Sequence, residues 1–238
     1  MKIALIGYGK MGHTIERVAL SRGHEIVCIV DLDTQHLFHS EAFASADVAI
    51  EFSTPSSALT NIRRAWQAGV SVVSGTTGWH EHLPMLKEEL QQGNHGLFWA
   101  SNFSIGVNIF MEVNRRLAAM MNHYDAYDIR MSETHHIHKL DAPSGTAITL
   151  AEDILQRVER KKQWELGAQT EDQNIPIESI RQGEVPGIHT VTYESDTDSI
   201  TISHSSKSRE GLALGAVIAA EFLQGKKGFY SMSDMLAL

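Results

Sequence analysis

The sequence predicts an α/β protein in which a doubly wound parallel sheet is joined to a second, α+β domain with an open mixed sheet. Three observations carry this expectation. Through residue 104, short apolar runs alternate with segments of helical periodicity, the pattern of βα units. The first run, Lys2–Ile6, feeds directly into Gly7-Tyr8-Gly9-Lys10-Met11-Gly12, a G-x-G-x-x-G turn that opens a helix. From Ile175 to Ser203, by contrast, β-branched and alternating runs follow one another with no helical pattern between them.

In order along the chain, Lys2–Ile6 reads as a buried parallel strand. Behind the glycine turn, Met11, Ile15, Val18 and Ala19 recur at helical spacing, and Arg22-Gly23 closes the helix. Ile26–Val30 is the second strand, and it ends on Asp31. This is the Rossmann-type arrangement. Its glycines admit a tight turn and bring the backbone close to a pyrophosphate on the helix N-terminus, and an acid at the tip of the second strand accepts from ribose hydroxyls. Leu32 stands where an arginine favours the 2′-phosphate of NADPH, which tilts the expectation toward NADH, although Lys10 supplies a cation in the turn. Asp33, past the apolar run, reads as a loop residue, Tyr8 as part of the turn, Cys28 as core and His13 as helix surface. Further strands are expected at Val48–Phe52, Val70–Ser74 and Leu97–Ala100, with helices from Thr54-Pro55 to Ala68 and from Glu81 to Gln92. In such sheets the ligand lies beyond the carboxyl ends of the strands, which here carry Phe52-Ser53-Thr54, Gly75-Thr76-Thr77 and Ser101-Asn102-Phe103.

Ile105–Asn122 reads as a helix with Ile109, Val113, Arg116-Leu117 and Met120 near helical spacing, and Met111, Met120 and Met121 are expected as core filler. Tyr127–Glu133 alternates as a strand with one wet face. A helix is expected over 146–160, ending in the solvated cations Arg160-Lys161-Lys162, then an exposed irregular connection over 161–174. Strands follow at Ile175–Ile180, His189–Glu194 and Ser199–Ser203. Gly211–Leu223 and a short segment at Met232–Leu236 return to helix and are expected to rejoin the first domain. The expected division is residues 1–104 with 209–238 for dinucleotide binding and 105–208 for substrate binding and oligomerisation, a layout in which a hinge closes substrate onto cofactor.

The chemistry is expected on Glu133-Thr-His-His-Ile-His-Lys-Leu-Asp-Ala-Pro-Ser-Gly-Thr-Ala147. Three histidines and a lysine fall between His135 and Lys139, a turn follows at Ala142-Pro143, and Ser144-Gly145-Thr146 opens a helix. A helix N-terminus offers unpaired N–H groups and positive potential. Beside Lys139 and two imidazoles it makes a pocket for a small polyanion, with groups that exchange protons near neutral pH. His138 reads as surface, Asp141 as a turn former, and Arg209 as a helix-entry arginine within reach of a carboxylate. Glu133, His135, His136 and His138 are metal-ligand types, but they lack the i, i+4 pair of helical zinc sites, so no metal is expected.

Composition narrows the partners. With 20 Lys+Arg against 29 Asp+Glu the chain carries a net charge of −9, which repels phosphate backbones, so nucleic acid is not an expected partner. The single cysteine, Cys28, supports no intramolecular disulfide and fits a reducing cytoplasm. The apolar run Ile3–Ile6 is too short for a signal peptide and no run reaches membrane-spanning length, so no membrane association is expected.

The motif Glu133-x-His135-His136-x-x-Lys139-x-Asp141-Ala142-Pro143-Ser144-Gly145-Thr146-Ala147 resembles the signature of the dihydrodipicolinate reductase family, which acts in lysine and diaminopimelate biosynthesis. Gly75-Thr76-Thr77-Gly78, Asn102-Phe103-Ser104 and Gly187-x-His189-Thr190-Val191 sit in that family's order, so the resemblance spans most of the chain. It implies NAD(P)H-dependent reduction of a small cyclic dicarboxylate, 4-hydroxy-tetrahydrodipicolinate, to tetrahydrodipicolinate in a homotetramer. It implies His135 as proton donor or acceptor, Lys139 as proton donor and carboxylate partner, and His136, Gly145 and Thr146 as substrate contacts. The cofactor would be held by Gly7, Tyr8, Gly9, Lys10, Met11 and Gly12, by Asp31, by Gly75, Thr76 and Thr77, and by Ala100, Ser101, Asn102 and Phe103. The glycine turn is one residue shorter than the family's commoner form, and no arginine follows Asp31. Two rivals fit the same platform: a dehydrogenase of another amino or hydroxy acid with a different catalytic pair, and a non-catalytic NADH-sensing regulator that needs no proton donor.

Overall fold

The computed structural model describes residues 1–208 and 210–238; Arg209, and with it the expectation placed on its guanidinium, lies outside the described residues. The chain divides into two units, Met1–Ile105 with Glu210–Leu238, and Gly106–Arg209.

The first unit begins with β1 (Lys2–Ile6), α1 (Lys10–Ser21) and β2 (Glu25–Val30). Ile3, Ala4, Leu5 and Ile6 are all at most 1% exposed, as an apolar strand covered on both faces requires. Between β2 and the next strand no full helix fits. A 3₁₀ segment, Leu32–His39, and the single turn α2 (Glu41–Ala44) cover the sheet instead, burying Phe38 and Phe43 against each other. Ser40 starts α2, its Oγ accepting from Phe43 N at 3.1 Å. Then come β3 (Val48–Glu51), α3 (Pro55–Gln67), β4 (Ser71–Ser74), α4 (Leu83–Gln92) and β5 (Gly96–Trp99). Proline at the first position of α3 has its fixed φ and missing N–H where a helix tolerates both.

The second unit opens on α5 (Ile105–Met121). Its buried row is Val107, Phe110, Asn114, Ala118 and Met121, not the row read from the sequence. Ile109, Val113 and Met120 are 45%, 43% and 64% exposed, so Met120 is not core filler. The rows lie side by side, and the outer one carries Arg116, paired with Glu112 at 2.7 Å; a charged member turns that face to solvent. Next follow β6 (Asp128–His135), α6 (Gly145–Leu155), β7 (Gln163–Leu166), β8 (Asn174–Arg181), β9 (Gly187–Glu194) and β10 (Ser199–Ser206). The sheet order is β10-β9-β6-β8-β7, with β6–β8 and β7–β8 parallel and β9 antiparallel to both β6 and β10.

Two expectations for this unit fail together. α6 stops at Leu155 rather than near Arg160, and the polar stretch beyond it contains β7, which pairs with β8. The basic run is the reason. Arg160 donates to the carbonyls of Met121 and Tyr127, and Lys161, 5% exposed, donates to Asp128 Oδ1 at 2.5 Å and to the carbonyls of Asp172 and Asn174. These cations satisfy loop and strand-end carbonyls instead of ending a helix in water.

The chain then returns to the first unit through α7 (Glu210–Leu223), β11 (Gly228–Tyr230) and α8 (Met232–Leu236). Ala213, Ala216, Ala219 and Ala220 on α7 are fully buried, because small side chains let the helix lie close to the sheet. Strand β11, unseen in the sequence, adds parallel to β5 and completes a six-stranded sheet ordered β11-β5-β4-β3-β1-β2.

Candidate active site

Gly7 follows β1 with φ of +87°, and a Cβ there would stand 2.1 Å from the Phe52 carbonyl oxygen, so only glycine makes this turn. Beyond it a cavity of about 570 Å³ is lined by Gly7, Tyr8, Gly9 and Asp31, together with Gln35 and Arg64. A second cavity, of about 380 Å³, is lined by Gly9, Lys10, Met11, Gly75, Thr76 and Thr77. Glycine turn, exposed helix N-terminus and strand-end acid at one sheet edge fit a bound dinucleotide. Gly12 is buried within α1. Ala100, Ser101, Asn102 and Phe103 line neither cavity, and the Phe103 ring packs in the core against Phe52 and Phe98.

The floor of this edge is a residue that pattern reading passed over. Glu51, fully buried at the end of β3, accepts from Ser74 Oγ at 2.6 Å, Thr76 Oγ1 at 2.9 Å, Ser53 N at 3.1 Å and Ser53 Oγ. Burial pushes its pKa above the ordinary carboxylate range, while these donors pull it back. The carboxylate ties together the loops after β3 and β4. Its signal was an acid inside the apolar run Val48–Phe52, with hydroxyls ending the next strand.

In the second unit, β6 places Glu133 and His135 on one face, two residues apart. β9, antiparallel beside it, puts His189 directly opposite Glu133. All three are buried: Glu133 is 1%, His135 8% and His189 6% exposed. Glu133 accepts from Ser144 N at 3.1 Å and Ser179 Oγ at 2.8 Å. Burial alone would raise its pKa, but interactions with His189, Ser144 and Ser179 outweigh it and hold the carboxyl well below the usual range. His135 Nδ1 lies 3.2 Å from the Pro186 carbonyl, and its Nε2 faces His189 Nε2 at 3.4 Å. A carbonyl only accepts, so Nδ1 carries the hydrogen. Gly187 makes room for this ring, since a Cβ there would stand 2.9 Å from His135 Cε1. Burial, then the neighbouring His189, lowers the His135 pKa.

Around this cluster, Lys139 Nζ donates to both oxygens of Asp141, at 2.7 and 2.8 Å, so Asp141 does more than shape a turn. Arg181, missed in the sequence, fixes the loop by donating to the carbonyls of Lys139 and Asp141. Buried His136 Nδ1 has no hydrogen-bond partner among the described residues, and exposed His138 pairs with Glu184 at 3.2 Å. Ser144 starts α6, its Oγ accepting from Ala147 N, and exposed Gly145 has nothing within 4 Å of a Cβ position, which leaves the helix N-terminus approachable.

A dinucleotide-type platform in one unit and a histidine–lysine cluster with a helix N-terminus in the other define a nicotinamide-dependent oxidoreductase. Residues 1–103 match the family model described as dihydrodipicolinate reductase, N-terminus, and residues 106–236 the one described as dihydrodipicolinate reductase, C-terminus. The chain belongs to the dihydrodipicolinate reductase family. A 4-hydroxy-tetrahydrodipicolinate reductase of Christiangramia forsetii is 47% identical over 237 residues, 100% of this chain and 98% of that protein. One of Staphylococcus aureus is 35% identical over 249 residues, 99% of this chain and 100% of that protein. In fold, the dipicolinate-bound dihydrodipicolinate reductase of Paenisporosarcina sp. TG-14 superposes with a TM-score of 0.80 at 23% identity, covering 100% of this chain and 99% of that one.

Proposed function

We propose that the chain reduces 4-hydroxy-tetrahydrodipicolinate to tetrahydrodipicolinate with NAD(P)H. The observation that carries this reading is the pairing, on one short stretch, of Lys139 with the approachable N-terminus of α6, two kinds of anion site for a substrate with two carboxylates. Lys139 holds one carboxylate in exchange for Asp141, while Gly145, Thr146 and His136 take the other. Once the 4-hydroxyl has left as water, a bound nicotinamide would supply a hydride to the electron-poor carbon of the conjugated C=C–C=N system so formed.

Substrate and product differ by the 4-hydroxyl, so water must leave and protons must move. His135, whose pKa burial lowers, suits taking a proton from the ring carbon beside C4 and passing it to the departing hydroxyl, so that water leaves as the ring gains its C=C bond. Lys139, an ammonium, suits delivery of a proton to the enamine-like intermediate. The platform residues Gly7–Gly12, Asp31 and Gly75–Thr77 hold the cofactor, and Ala100–Phe103, which lines neither cavity, is kept as a cofactor segment on the family resemblance alone. Asp31 and Leu32 favour NADH, and Arg64 in the same cavity wall lets NADPH serve as well. A cytoplasmic homotetramer completes the reading; the exposed apolar residues Ile109, Val113 and Met120 on α5 and Ile200 on β10 favour self-association. Among the described residues no helix is long and apolar enough to cross a membrane.

Steady-state kinetics on freshly synthesised 4-hydroxy-tetrahydrodipicolinate, with NADH and NADPH side by side, test this. Turnover with both, NADH preferred, is expected; no oxidation of either cofactor overturns the assignment.

A further inference from the structure

Glu133 Oε2, His135 Nε2 and His189 Nε2 form a nearly equilateral triangle with edges of 3.4, 3.5 and 3.6 Å. These edges are long for hydrogen bonds, since an N–H···N contact or a charge-assisted N–H···O pair closes to about 2.7–3.0 Å. They match another geometry. A tetrahedral zinc ion with ligands at about 2.0–2.1 Å has ligand–ligand edges of about 3.4 Å. The chemistry agrees with the distances. Two imidazole nitrogens and one carboxylate oxygen are the donor set of a three-ligand Zn²⁺ site, and they suit zinc, nickel or copper far better than magnesium or calcium.

The surroundings have the form that orients metal ligands. His135 gives its Nδ1–H to the Pro186 carbonyl, which turns the Nε2 lone pair toward the triangle. Glu133 is steadied by Ser144 N, which donates to both its oxygens at 3.1 Å, and by Ser179 Oγ on Oε1, with Arg181 3.7 Å from Oε1, while Oε2 also faces the two imidazoles. Ser144 Oγ hydrogen-bonds His189 Nε2 at 3.0 Å, a contact that a cation bound to this nitrogen would replace. Lys139, the other nearby cation, is neutralised by Asp141. The spacing explains why helix-based reading found no site: ligands two apart on a strand, with a third on the adjacent strand, share a sheet face without any i, i+4 pair.

We propose that Glu133, His135 and His189 form a binding site for a zinc-class divalent cation, whose occupancy withdraws His135 from proton exchange and inhibits the enzyme. The inhibitory half rests on the role of His135 proposed above; the site itself does not.

The full chain, stripped with a chelator, is titrated with Zn²⁺ against a chromophoric chelator and with Co²⁺ followed by its visible spectrum. The expected result is one Zn²⁺ per chain that His189→Gln no longer takes up, its retained fold checked by circular dichroism, and the intense d–d absorption of four-coordinate Co²⁺ in the unsubstituted protein. Equal Zn²⁺ uptake by wild type and His189→Gln overturns the site. So does a Co²⁺ spectrum that stays weak and octahedral, a readout needing no variant. Turnover should fall in proportion to Zn²⁺ occupancy; occupancy without loss of turnover overturns the inhibitory half. A metal-free chain that never turns over the substrate sinks the reductase reading and leaves the binding result standing.

Discussion

Thr76 Oγ1 donates to the buried Glu51 carboxylate at 2.9 Å and accepts from Ser53 N at the same distance, so one carboxylate sets the loops after two neighbouring strands. Glu51→Ala strands the donors of Ser53, Ser74 and Thr76. Buried unsatisfied groups of this kind cost about 1–3 kcal/mol each, and at least ~2 kcal/mol of lost stability is expected by denaturant titration. The loops line the cofactor cavities, so the NADH dissociation constant should rise in the same variant, whereas Glu51→Gln, which keeps an acceptor, should show less of both effects.

Arg64 reaches the cavity wall beside Asp31, its Nη1 donating to Gln35 Oε1 at 2.7 Å. Nothing in the local sequence around Asp31 shows a cation there, because Arg64 arrives from α3. Arg64→Ala should lower kcat/KM for NADPH by about tenfold, the worth of one charge-assisted hydrogen bond, while kcat/KM for NADH stays within about twofold. An equal fall with both cofactors would deny Arg64 a part in 2′-phosphate recognition.

Legibility followed sequence distance. The glycine turn, its helix and Asp31 are contiguous, and their order alone defines the platform. Glu133 and His135 share a strand, so alternation places them together. His189, fifty-four residues from His135, joins them only because β9 lies beside β6, a pairing no local pattern encodes. Lys161 and the outer row of α5 misled for a related reason: a cation looks solvated until its carbonyl partners are known, and a helix carries two plausible apolar rows until a neighbour chooses one.

The Arg22–Glu221 pair joins the end of α1 to α7 at 2.8 Å. The hydrogen bonds from Arg22 hold the Glu221 carboxyl below its ordinary value of 4.5, with His24 adding to the effect against burial. A carboxylate whose folded pKa is depressed contributes stability above its unfolded pKa and loses it as pH falls through the folded one. Glu221→Gln should therefore be less stable than wild type at neutral pH, by under about 1 kcal/mol for so exposed a pair. The difference should vanish on acidification below the depressed pKa. Denaturant midpoints measured across that range check it; a difference that persists or grows in acid would contradict this origin.

The most direct test of the reductase account is His135→Gln, compared with wild type in metal-free buffer, for turnover of 4-hydroxy-tetrahydrodipicolinate and for NADH affinity by fluorescence. Loss of a positioned acid–base group should reduce kcat by about 10²–10⁴, with the NADH dissociation constant changed by less than about twofold because the cofactor platform lies in the other unit. A variant that turns over at the wild-type rate, or one that loses NADH binding along with turnover, would contradict the account.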